Sequence, residues 1–215
     1  MFKRLLQFVM FLAMAAAAQA APVLSEDFDD PFLGDWAELN LSTPGGTTSW
    51  FLGNPGVFTA HQGADESYVA ANFLAAGEGG DIDLWLLTPV LDFSNGGGLQ
   101  LSFFSRANGA LPDRLEIWAG LGDNISGYSR LLSINPLLGN EYPTDWTPFE
   151  AVFAGAGSGR FAFRYYVTDT FSNGDYIGID TVRVTQVPEP ATLALLAFGL
   201  MLLTVVQRRR QAVRP

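Results

Sequence analysis

The sequence has no cysteine, a single lysine and a single histidine among 215 residues. The absence of cysteine excludes disulfide staples, a lipidated cysteine behind an export signal and thiolate metal sites. A domain of this composition must draw its stability from core burial, bound ions or both. With His61 as the only imidazole, zinc and copper centres of the usual donor types are strongly disfavoured. A Ser-His-Asp arrangement would have to use His61, yet no nucleophile-elbow pattern accompanies it, and its Gly-rich polar surroundings read as a surface loop. Lysine is confined to Lys3, so between residues 21 and 187 six arginines face 21 acidic residues, a formal charge of −15 against −10 for the whole chain. Nucleic acid and anionic lipid surfaces are poor partners for that field, whereas cations, neutral sugars and basic proteins remain open to it. Amphipathic helices of ordinary length are also missing.

What is present is concentrated at the two ends and in the strands between them. Lys3 and Arg4 precede an apolar segment over residues 5–18, and Ala18-Gln19-Ala20 supplies the small-x-small pattern that a signal peptidase reads. Residues 1–20 are therefore expected to be a signal peptide. At the other end Pro188-Glu189-Pro190 leads into an apolar run, residues 191–206, and then Arg208, Arg209 and Arg210. As a helix this run would be about 24 Å long, slightly short for a comfortable span, and the arginines would stay cytoplasmic with the preceding domain outside. Residues 21–187 make one domain with a sizeable core.

Within that domain alternation dominates. Leu99, Leu101 and Phe103 share one face of a strand, Leu115 and Ile117 oppose Arg114 and Glu116, and Phe161, Phe163 and Tyr165 oppose Ala162 and Arg164. Turn signals recur at roughly ten-residue intervals, and high Gly and aromatic contents favour strands and turns. The expected fold is all-β, a two-sheet antiparallel jelly-roll sandwich of about nine to eleven short strands, flanked by the signal peptide and the C-terminal hydrophobic helix. The Gly-rich stretches at residues 42–63 and 77–83 read as long end loops. In residues 176–185 the apolar parity flips between Ile177/Ile179 and Val182/Val184, which predicts a β-bulge at Asp180-Thr181.

The C-terminal order of Val187-Pro188-Glu189-Pro190, apolar run and arginine cluster resembles the PEP-CTERM sorting signal of Gram-negative bacteria. The resemblance implies handling by an exosortase, a membrane-embedded cysteine transpeptidase-like enzyme. It also implies passage through an inner-membrane intermediate to the cell surface or an exopolysaccharide matrix. A permanent single-pass anchor with no processing is the alternative reading of the same hydropathy.

Ser25-Glu26-Asp27-Phe28-Asp29, Asp83-Leu84-Trp85-Leu86-Leu87-Thr88-Pro89, Leu99-Gln100-Leu101-Ser102-Phe103-Phe104, Phe161-Ala162-Phe163-Arg164-Tyr165 and Tyr176-Ile177-Gly178-Ile179-Asp180-Thr181-Val182 resemble, in this order, the choice-of-anchor J group, related to cleaved adhesin and MAM-like jelly rolls. The resemblance implies an adhesive or binding sandwich, often with structural calcium, and no established catalysis. First and last strands lie side by side in such domains, so Glu26 and Asp180 would meet, with Asp27, Asp29 and Asp83 as further calcium ligands. Ca²⁺ takes about six to eight oxygens, and no contiguous EF-hand loop supplies them here.

Trp50, beside the long loops, and Trp118, on the polar-parity face of its strand, are the candidate glycan contacts, while Trp85 reads as core. Arg106, Arg114 and Arg164 are expected to pair with the surplus acids. The functional expectation is an exported, non-enzymatic adhesion or matrix-structural protein associated with exopolysaccharide. A carbohydrate-binding module or carbohydrate-active enzyme working on that polysaccharide, and a permanently anchored periplasmic structural protein, are the alternatives.

Overall fold

The computed structural model describes residues 21–30, 33–94, 97–139 and 141–187. The expected signal peptide at residues 1–20, the motif at Pro188, Glu189 and Pro190, the apolar run 191–206 and the arginines 208–210 lie outside the described residues. Among the described residues no helix is long and apolar enough to cross a membrane.

Thirteen strands among the described residues form two antiparallel sheets: β1 (Leu24–Glu26), β2 (Ala37–Asn40), β3 (Thr43–Gly45), β4 (Phe51–Leu52), β5 (Val69–Asn72), β6 (Ala76–Leu87), β7 (Leu91–Asp92), β8 (Leu99–Ala107), β9 (Leu115–Leu121), β10 (Ser129–Ile134), β11 (Thr147–Phe153), β12 (Ser158–Val167) and β13 (Tyr176–Gln186). One sheet runs β11-β8-β13-β5-β4 with β1 paired to β13; the other runs β10-β9-β12-β6-β2, with β3 on β6 and β7 on β12. The count exceeds the expected range because β3, β4 and β7 are two or three residues long, too short to show a period.

Alternation decides which face each strand buries. Leu99, Leu101 and Phe103 of β8, Leu115, Ile117 and Ala119 of β9, Phe161, Phe163 and Tyr165 of β12 and Ile82, Leu84 and Leu86 of β6 point between the sheets and are buried. Each such fully buried large side chain contributes about 1.5–3 kcal/mol. Aromatic contacts knit the layers: Phe103 meets Phe163 edge-on at 5.0 Å between ring centroids, and Trp36 bridges Phe28 at 5.5 Å and Phe163 at 6.3 Å.

One expected loop is a strand. Residues 77–83 belong to β6, which extends twelve residues and pairs with β3 at its Gly-rich start. The glycines there report close backbone approach: a Cβ on Gly80 would lie 2.7 Å from the Thr43 carbonyl oxygen.

The bulge falls where the parity flip placed it. Asp180 stands opposite Phe104 and Arg183 opposite Ser102, so three steps on β13 match two on β8. Thr181 absorbs the extra residue at φ +53°, a left-handed conformation that β-branched residues seldom adopt. Beyond the bulge β13 keeps its ladder to Gln186 opposite Leu99, while the Val23 N–H donates to the Val184 carbonyl at 2.7 Å. Residues 23 and 187 therefore leave the sandwich at one end.

Candidate functional site

The outer face of the seven-stranded sheet is not a plain solvated surface. Asp83 and Trp85 on β6, Arg164 and Tyr166 on β12, Glu116 and Trp118 on β9 and Arg130 on β10 share it because their parity is opposite to that of the core residues. Register places Arg164 directly between Trp85 and Glu116 and sets Tyr166 opposite Asp83, and Trp118 between Ala162 and Arg130. Cross-strand neighbours at this spacing interact directly.

Arg164 is the hub. Its Nε and Nη2 donate to the two Asp83 oxygens at 2.7 Å each, and its Nη1 donates to Glu116 Oε2 at 3.2 Å. Arg130 Nη1 donates to Glu116 Oε1 at 2.5 Å. The indole N–H groups finish the set: Trp85 donates to Asp83 at 2.7 Å and Trp118 to Glu116 at 3.0 Å. The Arg164 guanidinium also lies 3.9 Å from the Tyr166 ring centroid, 5.0 Å from that of Trp85 and 5.8 Å from that of Trp118. Burial disfavours the Arg164 charge, but Asp83 and Glu116 outweigh it and hold its pKa above the ordinary value. Glu116 is only 1% exposed, so its charge depends on these partners.

Such a lattice fixes its aromatic rings at low conformational cost. Trp118 and Tyr166 stay partly open to solvent while Trp85 is buried beneath them, in a second cluster with Leu87, Tyr128 and Ala162 rather than in the intersheet core. A partly exposed ring with polar groups at its rim suits the apolar face of a sugar. Every oxygen of Asp83 and Glu116 is engaged by a guanidinium or an indole, which leaves neither carboxylate unpartnered for acid or nucleophile work.

The other expected glycan contact is a core residue. Trp50 is 5% exposed and packs with Phe28, Trp36 and Val69. It backs a cleft of about 370 Å³ whose open wall carries Asp30, Gly34 and Glu38. Its position next to long loops in the chain gave no information on burial, because its neighbours come from β5 and from the segment before β2.

The five proposed calcium ligands do not assemble into a cage. β1 does pair with β13, setting Glu26 opposite Val182, two residues from Asp180. Glu26 Oε1, however, accepts the Phe28 N–H at 2.9 Å, and Asp27 is held by both oxygens on Arg183 Nη2 at 2.8 and 2.9 Å. Asp83 belongs to the opposite sheet and is clamped by Arg164. Asp29 is exposed near Gly63. Among the described residues no group of three or more His, Asp or Glu side chains comes together to hold a metal ion. Glu26, Asp27 and Asp83 are thus engaged by a backbone N–H or an arginine rather than gathered around one point.

Asp180, the bulge residue, ties a loop down instead. Its Oδ2 accepts the N–H groups of His61 at 2.8 Å and Gln62 at 3.0 Å, and Oδ1 accepts that of Thr181. Burial raises its pKa despite these bonds. His61 is exposed, stacks on Phe104 at 3.7 Å and contacts Thr181 Oγ1 through Nδ1 at 2.9 Å. Of the other arginines, Arg114 reaches the carbonyls of Tyr166 and Pro136 rather than a carboxylate, and Arg106 stacks on Phe58.

Comparison with known proteins agrees with both halves of the chain. Residues 186–210 match the PEP-CTERM protein-sorting motif. No curated protein matches the chain. Among solved structures the K3 cleaved adhesin domain of Lys-gingipain from Porphyromonas gingivalis W83 is 25% identical, with 78% of this chain and 99% of that one covered at a TM-score of 0.58. The K1 cleaved adhesin domain of the same protein is 24% identical over 76% of this chain and 97% of that one, TM-score 0.55. TmCBM61, solved in complex with β-1,4-galactotriose, is 14% identical over 78% and 99%, TM-score 0.52, a likeness of fold alone. The chain is an exported protein that carries a PEP-CTERM sorting motif behind a jelly-roll sandwich similar to cleaved adhesin domains.

Proposed function

We propose that the protein is a non-catalytic adhesion module of the cell envelope, released to the surface or the extracellular matrix by exosortase-type processing and held there on exopolysaccharide. The observation that carries the binding half is the Arg164-centred face, where Trp118 is held by its hydrogen bond to Glu116 and Tyr166 by the Arg164 guanidinium over its ring, while both remain partly exposed. Rings held in advance of binding lose little entropy on contact, so their stacking appears in affinity. The sorting motif supports export, and a neutral polysaccharide is a partner that an acidic domain tolerates.

Replacing both Trp118 and Tyr166 with alanine is expected to weaken retention on matrix polysaccharide. Each lost ring costs about 1–2 kcal/mol, a roughly five- to thirty-fold fall in affinity. The measurement is affinity electrophoresis or a glycan array with the folded sandwich, with circular dichroism to confirm folding. Undiminished binding by the folded double variant would rule out this face. Polysaccharide turnover abolished by changing a single carboxylate would replace adhesion with catalysis.

A further inference from the structure

The sorting motif and the sandwich share residues. The match begins at Gln186, and Gln186 is also the last residue of β13, paired with Leu99. Val187 follows, its N–H donating to the Gly98 carbonyl at 3.0 Å. Gly98 accepts this bond from a backbone at φ +90°, and a Cβ there would stand 2.7 Å from the Phe153 carbonyl oxygen, so glycine is required. Pro188 has no N–H to continue the ladder, and the Pro-Glu-Pro segment begins one residue past its final bond.

We propose that the end of β13 is a latch on the sorting motif: the processing enzyme must draw Gln186 and Val187 off Leu99 and Gly98 before it can take the motif as an extended segment. Partners that bind an extended peptide do so through its backbone N–H and C=O groups. At Val187 the N–H is committed to the sheet, and Gln186 is held in register with Leu99. Strand ends open far more readily than whole domains unfold, so the latch slows engagement without blocking it. Processing is thereby coupled to the local stability of one strand end.

This rests on the reading that the motif is processed, and the experiment separates the two. The full-length chain is pulse-labelled in cells of its source, and loss of the C-terminal segment is followed by mass. Inserting Gly-Ser-Gly-Ser between Thr185 and Gln186 moves the whole motif clear of the sheet; Gly98→Ala weakens the latch without touching the motif. The insertion is expected to speed processing roughly two- to twelve-fold, the range for one hydrogen bond, with Gly98→Ala in between. In parallel, hydrogen exchange on the full chain should show the Val187 amide protected in the parent and unprotected in the insertion variant. Processing of both variants at the parental rate, or slower, overturns the latch alone. A parent chain that keeps residues 188–215 in its own cells overturns the processing reading and the latch with it.

Discussion

Arg164→Met is expected to lower the melting temperature by about 6–20 °C, the largest effect of any single surface-face substitution in the sandwich. The side chain is 17% exposed, and it neutralises Glu116, which is 1% exposed, together with Asp83. Removing one partner of a buried ion pair strands the other, which costs about 3–5 kcal/mol. A domain of this size shifts by about 2–4 °C for each kcal/mol. Arg130 cannot take over, because its own side chain is 52% exposed and screened. The diagnostic measurement is the triple variant Arg164→Met, Asp83→Asn, Glu116→Gln. Removing the stranded charges should recover more than half of the loss, since replacing all members of such a set is far milder than breaking it. A single variant that melts within a degree or two of the parent would show that the lattice is decoration on a stable sheet.

The second large effect is a pH dependence centred on Asp113, just before β9. It is wholly buried; its Oδ1 accepts the Tyr165 hydroxyl at 2.6 Å and the Asp175 N–H at 2.9 Å, whereas Oδ2 is buried without a hydrogen-bond partner among the described residues. Burial pushes the carboxyl up to about 6 from 3.8, against the lowering influence of those two bonds, and the Asp175 carboxylate adds to the rise. The native state thus holds this proton more tightly than the unfolded chain. The resulting stabilisation is fully present below about pH 4 and is lost as pH rises through about 6, a swing of about 3 kcal/mol. Between pH 4 and pH 8 the parent should therefore lose about 6–12 °C more in melting temperature than Asp113→Asn, which cannot ionise. The slopes are the readout, because asparagine introduces a buried amide with its own cost. Parallel curves for parent and variant would refute the assignment.

How far the sequence alone leads depends on whether a feature is local. Alternation in β8, β9 and β12 identified the inward faces because the strand period is two whatever the neighbours are. The bulge at Asp180-Thr181 was legible for the same reason, as a break in that period. Residues 77–83 were misjudged as a loop because glycine reads as a turn former, while here it serves a backbone neighbour, Thr43, remote in the chain. That Asp83 stands on the sheet opposite Glu26 and Asp180 follows from strand order, which no local pattern carries. Trp50 and the centrality of Arg164 were illegible for one reason: both follow from which strands become neighbours, and strand order is settled by the packing of the whole sandwich.

The two ends of the domain leave side by side, and residue 187 continues β13 directly. A pull delivered through residue 187 runs along β13, which is bonded to β8 on one side and to β5 and β1 on the other. Force in that direction shears the rungs collectively instead of unzipping them one after another. Past the bond at Val187, such a pull meets a strand bonded on both of its edges, so any load applied through the C-terminal segment falls on the middle of the sheet and not on its rim.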